Sequence, residues 1–120
     1  MTIFTKIING ELPSNKVLES DKFLAFHDIN PKAPIHILII PKKEVENFQS
    51  VSAELMGEMT LFIHEVAKLM GLDKSGYRLI TNNGKDSGQE VMHLHFHMLG
   101  GSKLIWPHLA DADTDTKNFF

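Results

Sequence analysis

The sequence of 120 residues predicts an α+β fold, a five-stranded antiparallel sheet with one long and one short helix. Five short apolar segments bounded by Gly, Pro, Asn, Asp or Ser have the pattern of strands. One long stretch, residues 52–70, has apolar residues at helical spacing. The composition is ordinary, with 42% hydrophobic and 22% charged residues and no repeat or low-complexity tract, so we expect a single domain over residues 1–120.

A short helix and a hairpin are predicted first. Residues Ile3 to Ile8 are apolar at positions 3, 4, 7 and 8 and precede Asn9-Gly10, which predicts a short amphipathic helix that ends at the glycine. The segments Lys16 to Glu19 and Phe23 to His27 flank Ser20-Asp21-Lys22, which predicts two short strands joined by a turn.

A central strand follows, after an extended loop that Pro31 and Pro34 impose. Residues Ile35 to Ile40 are apolar at nearly every position and precede Pro41, which predicts a strand buried on both faces. The polar exception in this strand is His36.

The long helix and two further strands complete the sheet. Ser52 is the predicted N-cap of the helix and Gly71 its end. The segments Tyr77 to Thr81 and His93 to Leu99 are predicted strands, joined by a polar, glycine-bearing loop. The apolar stripe of the helix consists of Leu55, Met59, Phe62, Val66 and Leu69.

The segment His93-Leu94-His95-Phe96-His97 is the strongest functional signal. Because side chains alternate between the faces of a strand, we expect its three histidines to project from one face and the apolar residues to enter the core. His36 adds a fourth imidazole from the central strand. Single histidines are usually structural or surface residues, and we interpret three others in that way: His27, His64 and His108.

Metal coordination is one chemistry that such a group of imidazoles suits. Residues 93 and 97 lie about 13 Å apart along a strand, so both reach one zinc ion only with strained side chains. An adjacent pair together with His36 would still form a three-histidine site. We therefore keep metal binding as an alternative, while our first expectation is a protein without metal or cofactor.

Covalent catalysis at phosphorus is the chemistry that we favour. A neutral imidazole is nucleophilic at neutral pH, and His95, in the middle, is the predicted nucleophile. A carbonyl that accepts a hydrogen bond from one of its ring nitrogens would leave the other lone pair for the substrate. His97 would hold a phosphate oxygen or assist the leaving group. The chain has no cysteine, no serine elbow and no paired acidic motif with a complete set of catalytic roles.

Charge and hydropathy limit the partners and the compartment. A net charge of -3 and a pI of about 6.1 disfavour a nucleic-acid or anionic-membrane partner, although not a mononucleotide. We find neither a signal-peptide pattern at the first residues nor an apolar run of membrane-spanning length. We therefore expect a cytoplasmic protein.

The sequence resembles the histidine triad family, and within it the Hint branch of purine nucleoside phosphoramidases. The family signature is three histidines that alternate with hydrophobic residues, and the similarity covers nearly the whole chain. The matching segments are Ile3-Phe4 through Ile7-Ile8, Leu24 to Ile29, Pro31 with Ala33-Pro34, His36, Ile40 to Lys43, Asn82, Gly84, Gly88-Gln89, His93 to Gly101 and Trp106-Pro107.

This resemblance implies hydrolysis of adenosine or guanosine 5'-phosphoramidates to the nucleoside monophosphate and an amine. It implies that His95 forms a nucleotidyl intermediate and that His97, His93 and His36 complete the polar cluster around it. Asp28 would accept hydrogen bonds from the ribose hydroxyls, although the residues alone favour a turn role for it. The positions that match phosphate contacts are Asn82, Gln89, Glu90 and Val91.

The resemblance also implies an apolar slot for the purine base and a homodimer in which the sheet continues from one subunit to the other. The polar tail from about residue 107 is expected to be flexible. From their residue types alone, the positions of this apolar slot could equally be residues of the hydrophobic core. The nucleotide-binding positions on this side are Ile3, Phe4, Ile7, Phe26, His27, Ile29 and Leu38.

Two positions depart from the pattern of the branch and leave the leaving-group preference open. Glu90 stands where relatives commonly have a small hydroxyl residue, and Ser102 stands where many have arginine. The alternatives are hydrolysis of dinucleoside polyphosphates, nucleotidyl transfer to a phosphorylated sugar, or a nucleotide-binding adaptor with weak catalysis. The pair Gly100-Gly101 and the short chain favour the Hint interpretation over the first two.

Overall fold

The computed structural model describes residues 1–106 and 109–110. Apart from residues 109 and 110, the tail predicted to be flexible from about residue 107 lies outside the described residues. The elements in chain order are α1 (Ile3–Ile8), β1 (Lys16–Glu19), β2 (Phe23–His27), β3 (Ile35–Pro41), α2 (Ala53–Leu69), α3 (Leu72–Ser75), β4 (Arg78–Ile80), a 3₁₀ turn (Lys85–Ser87) and β5 (Phe96–Gly100).

The five strands form one antiparallel sheet in the order β1-β2-β3-β5-β4, which confirms the predicted fold class. The central strand β3 pairs with β2 and β5, and Ile37, Ile39 and Ile40 are fully buried. The structure adds helix α3, a single turn that the sequence analysis did not predict, whose Leu72 is buried in the core.

The two faces of the sheet have different covers. Helix α2 follows its N-cap Ser52, whose hydroxyl accepts from the amide of Leu55. The helix packs on one face of the sheet, and Leu69, which was predicted in its apolar stripe, is 60% exposed. The buried residues of the helix are Met59, Phe62, Ile63, Val66 and Ala67. The larger core forms there, because alternate residues of β2, β3 and β5 point toward the helix. Helix α1 covers part of the other face through Phe4, which packs with Phe26 at a ring separation of 6.0 Å. The predicted histidine cluster lies on this α1 face.

Strand β5 begins later than the sequence predicts. His93 and His95 precede the strand, so the prediction of a strand from His93 is wrong. The amide of Leu94 donates to the carbonyl of Val45 at 2.6 Å instead of continuing the ladder with β3. The alternation persists through this irregular segment, since Leu94 remains in the larger core. The histidines therefore share a face without sharing a regular strand.

Within the part of the chain that the structure describes, no helix has the length and apolarity needed to cross a membrane. The longest helix, α2, has 17 residues and an exposed polar side.

Candidate functional site

A cavity of about 330 Å³ opens on the α1 face of the sheet, beside the histidine cluster. Strands β3 and β5, helix α1 and the loop before β5 all contribute to its wall. The wall combines apolar and polar side chains. The lining residues are Phe4, Asp28, Leu38, Asn82, Gly88, Glu90, Val91, His95 and His97.

The hydrogen bonds of His95 assign its tautomer. Its Nδ1 lies 2.8 Å from the carbonyl oxygen of His93, and since a carbonyl only accepts, Nδ1 carries the proton. The lone pair is therefore on Nε2. The ring is buried and packs against the edge of Phe4, with 5.0 Å between ring centroids. These contacts hold an unprotonated ring nitrogen at the cavity wall.

The main chain at His95 is held by Thr81. The Thr81 hydroxyl donates to the His95 carbonyl at 2.8 Å. The β4–β5 ladder ends one step earlier, at the pair Ile80 and His97. This side-chain bond thus extends the connection between the two strands to the residue that carries the reactive imidazole.

A second relay fixes the tautomers of His36 and His97. The backbone amide of Lys32 donates to His36 Nδ1 at 3.0 Å, so the proton of a neutral His36 is on Nε2. That Nε2 lies 2.9 Å from His97 Nδ1 and 3.4 Å from Asp28 Oδ2, both of which accept. His97 consequently carries its own proton on Nε2. His97 therefore offers the cavity a hydrogen-bond donor, whereas His95 offers a lone pair.

Burial keeps His97 uncharged at neutral pH. Desolvation, followed by the nearby His95 and His36, lowers the pKa of His97 to about 4. Burial also lowers the pKa of His36, against the opposing attraction of Asp28. The donor function of His97 thus comes from a neutral N–H and not from an imidazolium.

His93 is a fully buried support for the cavity. Its Nε2–H donates to the Pro41 carbonyl at 2.8 Å, and its Nδ1 lies 3.4 Å from the Thr2 hydroxyl at the start of α1. Burial lowers its pKa, and the bond to Pro41 opposes that shift. His93 thereby ties the end of β3 to helix α1 and presents its carbonyl to His95.

Gln89 organises the loop that precedes β5. Its side-chain oxygen accepts from the amide of Gly84 at 2.8 Å, and its nitrogen donates to the carbonyls of Glu46 and Val91 at 2.8 and 3.1 Å. The side chain is buried and engaged with the backbone on both sides of the loop. This arrangement fixes the backbone beside Glu90.

Asp28 combines the turn role with a place at the cavity. Its Oδ1 accepts from the amide of Asn30 at 2.8 Å, the turn contact that the residues alone favour. Its Oδ2 lies near His36, and the residue lines the cavity.

Several predicted site residues lie outside the cavity lining. His36, His93 and Gln89 lie behind the wall and hold it through the contacts described above. Phe26 is buried beneath Phe4, and Ile29 is 91% exposed. The lining likewise omits Ile3, Ile7 and His27.

One group within residues 1–106 and 109–110 has the composition of a metal site. Ligand atoms of Asp28, His36 and His97 lie within 4.8 Å of one another. Two of these atoms, His36 Nε2 and His97 Nδ1, are joined by a hydrogen bond. If His36 ligated a metal through Nε2, its proton would move to Nδ1, which could then no longer accept from the Lys32 amide. The three-histidine alternative, an adjacent triad pair with His36, is not the group that the fold assembles.

Comparison with known proteins places this site in a family. Residues 9–104 match the HIT domain. The chain belongs to the HIT family. An uncharacterised HIT-like protein of Helicobacter pylori (strain ATCC 700392 / 26695) is 54% identical over 103 residues, which cover 86% of this chain and 99% of that protein.

Solved structures of HIT proteins have the same fold. A HIT family hydrolase from Legionella pneumophila superposes with a TM-score of 0.84 at 42% identity, covering 89% of this chain and 98% of that one. A histidine triad nucleotide-binding protein from Candida albicans superposes with a TM-score of 0.77 at 34% identity, covering 99% and 90%. The HIT protein thus has the fold of HIT-family hydrolases and nucleotide-binding proteins.

The sequence analysis missed the groups that orient the histidines. Thr81 and Thr2 contact histidines 14 and 91 residues away along the chain, and the Lys32 amide contacts His36, four residues later. Thr81 at the end of a predicted strand gave a weak signal, because a hydroxyl there can replace a ladder bond. A backbone amide gives no signal in the residue pattern.

Proposed function

We propose that this HIT protein hydrolyses adenosine or guanosine 5'-phosphoramidates to the nucleoside monophosphate and an amine, with His95 as the nucleophile. The observation that supports this most strongly is the bond from His95 Nδ1–H to the His93 carbonyl, which leaves the Nε2 lone pair at the cavity wall. A nucleophile of this kind needs no thiol, and the chain has no cysteine.

The proposed reaction has two displacements at phosphorus. In the first, the lone pair of His95 Nε2 bonds to phosphorus while the P–N bond breaks, and the leaving nitrogen takes a proton from solvent and departs as an amine. In the second, water attacks phosphorus, the bond to His95 breaks with its electron pair returning to Nε2, and the proton released by the water balances the first. One water is consumed per nucleoside monophosphate formed.

Neutral donors would stabilise the charge on the phosphoryl oxygens. His97 presents an N–H fixed by the relay through His36, and Asn82 offers an amide at the same cavity. Donors that are already oriented need no reorganisation as charge develops, and they act more strongly in a partly buried site than in water. The proposed slot for the purine base consists of the apolar lining residues Phe4, Leu38 and Val91.

We extend the proposal to a cytoplasmic homodimer. Strand β4 lies at one edge of the sheet, next to an apolar groove of about 830 Å³ that includes Leu79, Leu99 and Trp106. Leu79 is 40% exposed and Trp106 is 73% exposed. An unpaired edge beside an apolar groove favours continuation of the sheet into a second copy. Sedimentation at micromolar concentration tests this part of the proposal, and a monomer would contradict it.

The test is steady-state release of AMP from a fluorogenic adenosine phosphoramidate by the wild type, His95→Ala and His64→Ala. His64 is an exposed histidine on α2 and serves as the matched control. We expect turnover by the wild type and His64→Ala, no turnover by His95→Ala, and retained AMP binding in all three. A chelator should leave the rates unchanged.

Two results would contradict the proposal. Substantial turnover by a folded His95→Ala protein would remove His95 as the nucleophile. A wild type that binds AMP but hydrolyses no phosphoramidate would instead be a nucleotide-binding adaptor.

A further inference from the structure

We infer that Glu90 selects the leaving group by charge, so that amines carrying a second, positive group are preferred over uncharged or anionic ones. This inference rests on the proposed phosphoramidase function and deepens it by naming the class of amine.

The charge of the cavity lining is the first observation. Asp28 and Glu90 place two carboxylates in the wall, and none of the described residues that line it is a lysine or arginine. His97 adds no positive charge at neutral pH, because burial lowers its pKa to about 4. A substrate phosphoryl group therefore meets neutral donors in this cavity and a surplus of negative charge.

The two carboxylates have different surroundings. Asp28 is partly buried, and its two oxygens contact the Asn30 amide and His36. Glu90 is exposed, and in residues 1–106 and 109–110 its carboxylate takes part in no ion pair and no hydrogen bond. Glu90 is thus the carboxylate that remains available to a ligand.

Exposure places Glu90 at the mouth of the cavity. Phe4, Leu38 and His95 form the buried part of the wall, whereas Gly88 and Glu90 are the exposed lining residues. The amine has to depart on the open side, since the sheet and the histidine cluster close the inner one. The part of a leaving group that extends from the phosphorus into solvent therefore passes a free carboxylate.

The backbone around Glu90 is fixed. The side chain of Gln89, the residue before Glu90, is held by hydrogen bonds to Gly84 and Glu46. The same side-chain amide donates to the carbonyl of Val91, the residue after Glu90. Only the side chain of Glu90 is left to adjust. A charge on an anchored loop discriminates between ligands more strongly than one on a loop that moves away.

Among the described residues, no lysine or arginine forms an ion pair with Glu90. The ammonium of Lys32 donates to the Asn30 carbonyl, and Lys32 lines the neighbouring apolar groove. Lys85 lies in the 3₁₀ turn and is absent from the cavity lining. A leaving group with several negative charges, such as a polyphosphate, would consequently face Glu90 without a compensating cation from the described lining residues.

Three adenosine 5'-phosphoramidates of matched length test the inference. The amine is a five-carbon chain that ends in an ammonium, a methyl or a carboxylate group, so that charge is the main difference between them. The enzymes are the wild type, Glu90→Gln and the control Glu65→Gln, which removes an exposed glutamate of α2 away from the cavity.

For the wild type we expect kcat/KM to be higher for the ammonium than for the carboxylate compound by about tenfold, as unlike charges at short range in a partly solvated site predict. Glu90→Gln should reduce this ratio to about two, and Glu65→Gln should leave it at the wild-type value. Added salt should reduce the wild-type ratio, because an exposed charge is screened.

The outcomes separate the inference from the function on which it rests. If the wild type hydrolyses the methyl compound through His95 but shows no preference among charges, or if Glu90→Gln keeps the preference, the inference is overturned while the function stands. If none of the three compounds is hydrolysed, the proposed function fails and the inference with it.

Discussion

Mild acid should destabilise this fold through its buried histidines. The pKa of His97 is about 4 in the folded protein, below the value of 6.5 for an unperturbed histidine. Between these values the unfolded chain binds more protons than the folded one, so the free energy of unfolding decreases as the pH falls. The contribution is complete above pH 6.5 and is lost as the pH approaches 4.

The magnitude follows from the two pKa values. Between about pH 7.5 and about pH 5, the linkage relation gives a loss of about 2 kcal/mol for His97, and its partial solvent exposure reduces this to about 1 kcal/mol. Burial also lowers the pKa of His36 and His93, so both add in the same direction. Hydrogen bonds from Lys16 and Lys42 lower the pKa of Glu19 to about 2, so Glu19 titrates below this pH interval.

Urea denaturation at both pH values measures this loss. The variant His97→Gln should lose about 1 kcal/mol less stability than the wild type over the same interval. His64→Gln, which replaces an exposed histidine of α2, is the control and should behave as the wild type does. Equal losses in wild type and His97→Gln would refute the assignment of a neutral, partly buried His97.

Two further predictions concern the support of the site. Thr81→Val removes the 2.8 Å bond to the His95 carbonyl and should lower kcat about tenfold or more, at a stability cost of about 1 kcal/mol. Thr81→Ser keeps the hydroxyl and should restore the rate. Unchanged turnover by Thr81→Val would show that the bond does not position His95. Gly100→Ala places a methyl group 2.8 Å from a terminal carbon of buried Leu72 and should cost about 1 to 3 kcal/mol in urea denaturation, whereas full stability would mean that Leu72 repacks freely.

Local sequence patterns predicted the bounds of the first three elements correctly. Helix α1 and strands β1 and β2 begin and end where the sequence predicts them. In each case the apolar pattern and the turn residues beside it are near neighbours, so short-range preferences decide the bounds. The N-cap of α2 at Ser52 was predictable for the same reason.

Other features depend on contacts that are distant in sequence. The start of β5 is set by the carbonyl of Val45, which takes the Leu94 amide away from the ladder. Helix α3 is one turn of four residues, too short for a periodic pattern. Hydropathy likewise did not distinguish Phe26, buried under Phe4, from Ile29, which is 91% exposed.

The candidate site shows the same division. Strict alternation of histidine and apolar residues predicted that the imidazoles share a face, and this alternation survives even where the strand does not. A carbonyl partner for His95 was anticipated, but the residue pattern did not identify it as the His93 carbonyl, nor did it indicate the partners of His36 and His93, the Lys32 amide and the Pro41 carbonyl. Residue types thus indicated which chemistry to expect, and the fold assigned a lone pair to His95 and a donor to His97.

The most direct test of the central claim is to trap the nucleotide on His95. Wild-type protein is mixed with a stoichiometric amount of adenosine phosphoramidate, quenched at alkaline pH, where phosphorus bonds to histidine persist, and digested for mass spectrometry. The account predicts one adenylyl group on His95 that forms and decays within a turnover. An adenylyl group on another residue, or AMP formed at full rate with no covalent intermediate at any time point, would contradict it.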